Sequence, residues 1–353
     1  MKAEDILTLN ELEGLAESCM SPMAMAYVAG GAADEITLRA NSEDWKRIRL
    51  MPKALVDVSQ IDLRTQILSQ HFDFPVLLAP TAFHRLCHPE GELATVTGAN
   101  HAGVGMVLSS LSTTSVEEIG GASQHPLWFQ LYAQEDRGLT KEMVQRARTA
   151  GCKAVCITVD TPILGARHRE SRARFRLPDD FKLPNLNLGS VTHRPVRGAI
   201  YSDLLNPRLV WEDIEWISSA AAVPVLLKGV MNPDDALRAA DSGVAGLIIS
   251  NHGGRNLDTA PSTAEALPRI AEKLNGRLPL LVDGGIRRGT DILKAIALGA
   301  NAVMIGRPYL YALSVAGAEG VARVVEILRT ELMMAMALTG RKSIAEIDRT
   351  VLF

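Results

Sequence analysis

The sequence predicts an α/β fold: a single (β/α)8 TIM barrel with an N-terminal helical extension and a long loop after the fourth strand. Three observations predict it. Eight short apolar runs recur between residues 76 and 306, the length of buried parallel strands. Helical stretches, often closed by glycine, separate most of them. Nearly every run ends in a polar or glycine residue, as a barrel requires at the strand C-termini, where chemistry takes place. An open doubly wound sheet is the alternative, but it seldom needs eight such regular units.

The extension comes first (1–74). Residues Ala3 to Ala40 read as helical through Leu7, Leu12 and Leu15, and Pro22 opens a second helix that carries Tyr27 to the Gly30-Gly31 break. From Trp45 to Leu68, β-branched residues mixed with turn residues predict short strands outside the main repeat. The barrel strands span 75–309. They are expected at Val76–Pro80, Gly105–Ser109, Leu127–Tyr132, Ala154–Asp160, Pro224–Lys228, Gly246–Ser250, Pro279–Asp283 and Ala302–Gly306. Thr140–Ala150, Pro233–Ser242 and Thr290–Leu298 read as helices closed by Gly151, Gly243 and Gly299. Residues Pro178 to Arg208, rich in Pro, Asn and Gly, break the rhythm, and a loop of that length is expected to form a lid over the mouth. C-terminal helices fill 310–353. Within them the apolar Val325–Leu338 either closes the barrel or serves an assembly.

Composition narrows the function. The 353 residues carry a formal net charge of −3 and are 47% hydrophobic, which predicts a soluble globular protein with ample core. Near-neutral charge argues against nucleic acid or an anionic membrane surface as the main partner. Cys19, Cys87, Cys152 and Cys156 form neither a Cys-x-x-Cys pair nor a dense framework, so reduced thiols and a cytoplasmic location are expected. Cys152 and Cys156 straddle a helix end and a strand start without further ligands, and no metal site is expected. No apolar run reaches the ~18–20 residues needed to span a bilayer, no secretory segment opens the chain, and Leu352-Phe353 carries no peroxisomal tripeptide.

The densest chemistry follows the sixth strand, in Ser250-Asn-His-Gly-Gly-Arg255. Two glycines allow a tight turn close to a ligand. His252 exchanges protons near neutrality, and Arg255 can grip a carboxylate or phosphate through two parallel hydrogen bonds. A base and a fixed cation on one loop suit proton abstraction from a small anion. After strands seven and eight, Asp283-Gly-Gly-Ile-Arg-Arg-Gly289 and Gly306-Arg-Pro308 offer backbone N–H groups and arginines where such barrels bind phosphate. Lys228 ends strand five as a Schiff-base nucleophile, a phosphate ligand, a fixed positive charge or simply a salt-bridged lysine at the mouth. Gln130 and Tyr132 share a face directed into the mouth, as do Thr158 and Asp160. Arg167 and His168 lie in a charge-dense stretch that reads by default as solvated, and His84, His88 and His101 read as structural. Phe83 and Met106 receive no role.

These segments together resemble the FMN-dependent α-hydroxy-acid oxidases and dehydrogenases, the family of glycolate oxidase, lactate oxidase and mandelate dehydrogenase. The resemblance runs from Tyr27-Val-Ala-Gly-Gly-Ala to Met336-Ala-Leu-Thr-Gly. It rests on Ala79-Pro-Thr-Ala82, His88-Pro-Glu-Gly-Glu92, Leu108-Ser-Ser110, Phe129-Gln-Leu-Tyr132, Thr158-Val-Asp-Thr-Pro162, Leu227-Lys-Gly229, Ser250–Arg255, Asp283–Arg287 and Gly306-Arg-Pro308. It implies FMN as cofactor and the following roles. His252 is the catalytic base, oriented by Asp160. Arg255, Arg167 and Tyr27 clamp the substrate carboxylate, and Tyr132 bonds the oxygen at the reacting carbon. Lys228 stabilises the anionic reduced ring. Ser109, Gln130 and Thr158 contact the isoalloxazine, with Ser250 nearby and the backbone of Thr81 and Ala82 near N5. Asp283 holds the ribityl chain, and Gly284, Gly285, Arg287, Gly306 and Arg307 hold the phosphate.

The implied reaction is oxidation of an L-2-hydroxy acid to the 2-oxo acid. Ala82, the absence of an apolar insertion in 178–208 and the absence of a haem-binding domain favour O2 as re-oxidant over the quinone of a dehydrogenase. Leu111 stands where plant-type glycolate oxidases carry an aromatic, so a lactate-like or larger acid is expected, mandelate included. Relatives form tetramers, which implies a homotetramer. The rivals are a Schiff-base aldolase or isomerase using Lys228 and a flavin-binding protein without turnover.

Overall fold

A computed structural model describes residues 2–186, 200, 202 and 204–353; the centre of the expected lid lies outside these described residues. The chain runs through α1 (Leu12–Glu17), α2 (Pro22–Ala29), α3 (Ile36–Arg47), the hairpin β1 (Thr65–Ile67) and β2 (Gln70–Phe72), then β3 (Val76–Leu78), α4 (Gly91–Ala102), β4 (Gly105–Ser109), α5 (Val116–Ala122), β5 (Leu127–Leu131), α6 (Arg137–Thr149) and β6 (Val155–Thr158). It continues with α7 (His168–Arg172), α8 (Trp211–Ala221), β7 (Val225–Lys228), α9 (Pro233–Asp241), β8 (Gly246–Ile249), α10 (Thr263–Leu274), β9 (Leu280–Val282), α11 (Gly289–Ala297), β10 (Ala302–Ile305) and α12 (Arg307–Leu338).

Strands β3 to β10 pair in parallel and in sequence order, and β10 returns to β3 to close the barrel. Each expected strand is present and one to three residues shorter, except β4, which keeps both predicted ends. The barrel interior holds Leu77, Val107, Trp128, Cys156, Leu226, Ile248, Leu281 and Met304, one from each strand, all almost fully buried. Their neighbours point outward into the helix layer, as period-two alternation requires. The hairpin plugs the end opposite the mouth: Ile67 and Phe72 join the interior cluster, and Trp128 Nε1 donates to Gln70 Oε1 at 3.0 Å.

Two local expectations are corrected. Trp45 is not in a strand segment: α3 continues to Arg47, because Trp45 fills a fully buried site and its indole donates to Gly284 O at 2.8 Å. The only paired strands in that region are those of the hairpin, which extends past Leu68 to Phe72. Arg167 is not solvated either, its side chain being 13% exposed. In Val325–Leu338, Val325, Leu328, Leu332, Ala335 and Met336 are buried against the barrel's helices, while Met333, Met334 and Leu338 are exposed. The apolar face of that helix therefore serves mainly to close the domain.

Candidate active site

The site follows from the barrel's alternation carried one step further. Two residues beyond each interior apolar residue, the next inward position reaches the mouth, and there the chain places Ser109, Gln130, Thr158, Lys228, Ser250, Asp283 and Gly306 in turn. They form one hydrogen-bonded floor. Ser109 Oγ donates to Gln130 Oε1 at 3.0 Å, and Gln130 Nε2 donates to Thr158 Oγ1 at 2.8 Å. Lys228 Nζ donates to Ser250 Oγ at 2.8 Å and pairs with Asp283 Oδ2 at 3.1 Å. Burial alone would lower the Lys228 pKa, but Asp283 and Asp160 outweigh it and hold the ammonium above its usual value. That is a fixed positive charge and a poor Schiff-base nucleophile. Above this floor opens a cavity of about 900 Å³ that reaches from Thr81, Ala82 and Leu111 to Arg287 and Arg307.

The far end of the cavity has the character of a phosphate cradle. The Asp283–Gly285 turn runs into the N-terminus of α11, and Gly306 caps α12. Gly285 has φ +85°, and a Cβ there would meet Asn41 O at 1.8 Å, so only glycine fits between the turn and α3. Burial depresses the Arg287 guanidinium, and burial together with Arg255 and Arg287 pushes Arg307 down to about 10 against the pull of Tyr311. Buried cations crowded together in this way call for an anion. Asp283 Oδ1 is buried with no partner, as expected of an acceptor reserved for a ligand hydroxyl. Arg307 carries a second duty: its guanidinium donates to Val28 O, Gly253 O and Gly30 O, each at 2.9 Å, and so ties α2 to the His252 turn.

At the other end stands the candidate base. His252, Gly253 and Gly254 all have positive φ, and this left-handed turn aims the imidazole across the mouth. Its Nδ1 lies 2.9 Å from Asp160 Oδ1, which fixes the N–H on that nitrogen. Nε2 is left facing the cavity, 3.3 Å from the Tyr132 hydroxyl. Burial lowers the His252 pKa more than Asp160 raises it, with Lys228 and Arg167 adding to the depression. Burial would raise Asp160, but His252, Lys228 and Thr161 together hold it below the usual carboxylate range. The pair is thus a neutral imidazole beside a carboxylate, ready to accept a proton and to stabilise the cation that results. Gly229 makes room for this carboxylate, since a Cβ there would meet Asp160 Cβ at 2.5 Å.

Arg255 and Arg167 line the same cavity as His252. Arg255 Nη1 donates to Tyr27 O at 2.6 Å and Gly30 O at 2.9 Å, and its guanidinium lies 4.9 Å from the centre of the Tyr27 ring. Tyr27 stacks on Phe175 with ring centres 4.5 Å apart, which fixes the α2 side of the pocket. Sequence reading missed three residues here. Thr161 donates to Asp160 Oδ1 at 2.9 Å, Asn256 donates to Asp160 O and Thr161 Oγ1 at 2.8 Å each, and Glu170 pairs with Arg255 at 3.0 Å. Thr161 stood inside Thr158–Pro162 and Asn256 directly after Ser250–Arg255, but the contacts that bring Thr161 to His252, Asn256 to Asp160 and Glu170 to Arg255 join loops that no spacing connects. His84 is structural as expected, buried between Thr81 Oγ1 at 2.7 Å and Thr95 Oγ1 at 2.9 Å. Phe83 does line the cavity, whereas Met106 is core. Among the described residues no cluster of three or more His, Cys, Asp or Glu could hold a metal ion.

Residues 16–353 match the family of FMN-dependent dehydrogenases. The chain belongs to that family. It is 48% identical to the L-lactate oxidase of a Nostoc species, with 98% of each chain covered, and 44% identical to glycolate oxidase 3 of Oryza sativa subsp. indica, with 98% and 96% covered. Among solved structures, a mandelate oxidase with (S)-2-phenylpropionate superposes with a TM-score of 0.90 at 37% identity, covering 99% of this chain and 98% of that one. FMN is accordingly the cofactor of this family member, and 2-hydroxy-acid oxidation its reaction. The residues present fit FMN: a glycine cradle with cations for its phosphate, an unpartnered acceptor at Asp283 and a floor of amide and hydroxyl groups.

Proposed function

We propose that this enzyme oxidises an L-2-hydroxy acid, lactate-like or larger and with mandelate in range, to the 2-oxo acid, and that O2 re-oxidises it. One observation carries the reading: His252 Nε2 and the Tyr132 hydroxyl, 3.3 Å apart, face the same cavity as Arg255 and Arg167. The guanidiniums bind the substrate carboxylate, Tyr132 bonds the oxygen on the reacting carbon, and His252 Nε2 accepts the proton while Asp160 steadies the imidazolium. FMN, when bound, takes the electron pair. Lys228 would supply a fixed positive charge to stabilise its reduced form, and Gly284, Gly285, Arg287, Gly306 and Arg307 would hold its phosphate. Ser109, Gln130, Thr158 and Ser250, with Thr81 and Ala82, would contact its ring.

Leu111, half-buried in the cavity wall, leaves room for a substrate side chain larger than hydrogen. The described C-terminal part of the segment 178–208 supports a lid, since Ile200, Ser202, Leu204 and Leu205 line the cavity. Free cysteines, with Cys19 exposed, favour the cytoplasm, and exposed Met333, Met334 and Leu338 offer an apolar strip for a homotetramer. No helix among the described residues is long and apolar enough to cross a membrane.

The experiment is an anaerobic panel of L-2-hydroxy acids with loss of the oxidised flavin absorbance as readout, followed by air. Bleaching by lactate or larger acids and rapid recovery in air are expected. No bleaching by any acid would refute the reaction, and recovery only with an added quinone would make the enzyme a dehydrogenase.

A further inference from the structure

A carboxylate that the reaction does not use sits between the two substrate-binding arginines. Glu170, on α7, lines the cavity and is 13% exposed. Its Oε1 lies 3.0 Å from Arg255 Nη2 and 3.4 Å from Arg167 Nη1. One anion therefore already neutralises half of this cationic pair. Arg255 has further donors committed to Tyr27 O and Gly30 O, while Arg167 Nε is buried with no partner. Arg174 also lines the cavity, but it is exposed at the rim, where water screens it. What remains for a ligand is one net positive charge and donors enough for a single carboxylate.

We propose that Glu170 is a specificity-determining residue that confines the enzyme to 2-hydroxy monocarboxylic acids by excluding those with a second carboxylate. The inference rests on the hydroxy-acid reading of this same site. A dicarboxylic substrate would bring a second anion into a pocket where Glu170 repels it and where, among the described residues, the cation left over beside the two guanidiniums is Arg174 at the water-screened rim. Glutamate suits the task because one carboxylate oxygen, Oε1, bridges both guanidiniums while the group's charge sets the balance. A residue that only aligned the arginines would affect charged and uncharged substrate side chains alike.

The test compares L-malate with its β-amide, which has the same shape without the second charge, and uses L-lactate as reference. Flavin-loaded wild type, Glu170→Gln, Glu170→Ser and Glu170→Asp are assayed for kcat/KM. Wild type and Glu170→Asp should prefer the amide. Both Glu170→Gln and Glu170→Ser should raise the malate-to-amide ratio on the order of tenfold, the effect of deleting one nearby like charge. An unchanged ratio with all substrates slowed in proportion would make Glu170 a mere brace and overturn the proposal. So would a wild type that takes malate as readily as the amide, or loss of flavin from both neutral variants. Failure of the hydroxy-acid reading is distinguishable, because wild type would then be reduced by none of the acids.

Discussion

His252 is placed for its proposed role as base by three contacts: Asp160 on Nδ1, Tyr132 beside Nε2, and, within its own turn, Ser250 Oγ accepting its backbone N–H at 3.1 Å. Replacing it with alanine should leave the FMN absorbance intact, since none of the phosphate turns depends on the ring. Reduction by every hydroxy acid should slow by about 10²–10⁴, the usual worth of a positioned general base. Stopped-flow bleaching checks this, and full-speed reduction by the variant would remove His252 from its role. The same geometry sets a pH profile. The base must be neutral to work, and burial holds its pKa below the ordinary 6.5. Protonation is therefore delayed as pH falls, so kcat/KM should be flat through neutrality and decline only below about 6.5. A decline beginning on the alkaline side of 7 would contradict the depressed value. At this scale the Ser250–Arg255 turn was legible in sequence because base, glycines and cation are contiguous. Thr161, Asn256 and Glu170 were not, because each acts through a contact between loops far apart in the chain.

Among elements, the strands were legible because a parallel barrel buries both faces of each strand and so writes an apolar run of definite length. The end of α3 was not, because Trp45 belongs to that helix for a tertiary reason: its indole and backbone brace the Gly284 carbonyl and Lys294 Nζ, each at 2.8 Å. The extension is thereby part of the phosphate cradle. Asn41 exchanges side-chain hydrogen bonds with Asn251 at 2.8 and 2.7 Å, while its carbonyl closes over Gly285. Gly285→Ala should then displace α3 from the turn, adding a clash to the strain of positive φ. FMN affinity should fall at least about tenfold, or ~1.4 kcal/mol, read by titrating apoprotein with FMN and following flavin fluorescence. Gly276→Ala is the control, since Gly276 also has positive φ but nothing within 4 Å of an added Cβ. That variant should lose a little stability and no affinity, and equal losses in both would show that backbone strain alone, rather than the α3 contact, governs the cradle.

For the whole molecule, the mouth of the barrel is both its functional end and its electrostatically costly end. Arg287, Arg307, Lys228 and Arg255 converge on one cavity, and the depressed Arg287 and Arg307 show that burial is already unfavourable to their charge. The opposite end is apolar and plugged by the hairpin, so stability resides there, while the mouth is completed by what it binds. Binding that favours the folded state alone adds RT ln(1 + [L]/Kd), about 2.7 kcal/mol at a hundredfold excess over Kd. Apoprotein should therefore melt several degrees below the FMN-saturated enzyme and recover with FMN in a concentration-dependent way. Inorganic phosphate should restore part of the shift, because it satisfies the cradle without the ring, and riboflavin, which lacks the phosphate, should restore less than FMN. Scanning calorimetry of the four samples decides the matter: if riboflavin protects as well as FMN while phosphate does nothing, the ring and not the glycine–arginine turns anchors the cofactor, and the electrostatic account of this mouth fails.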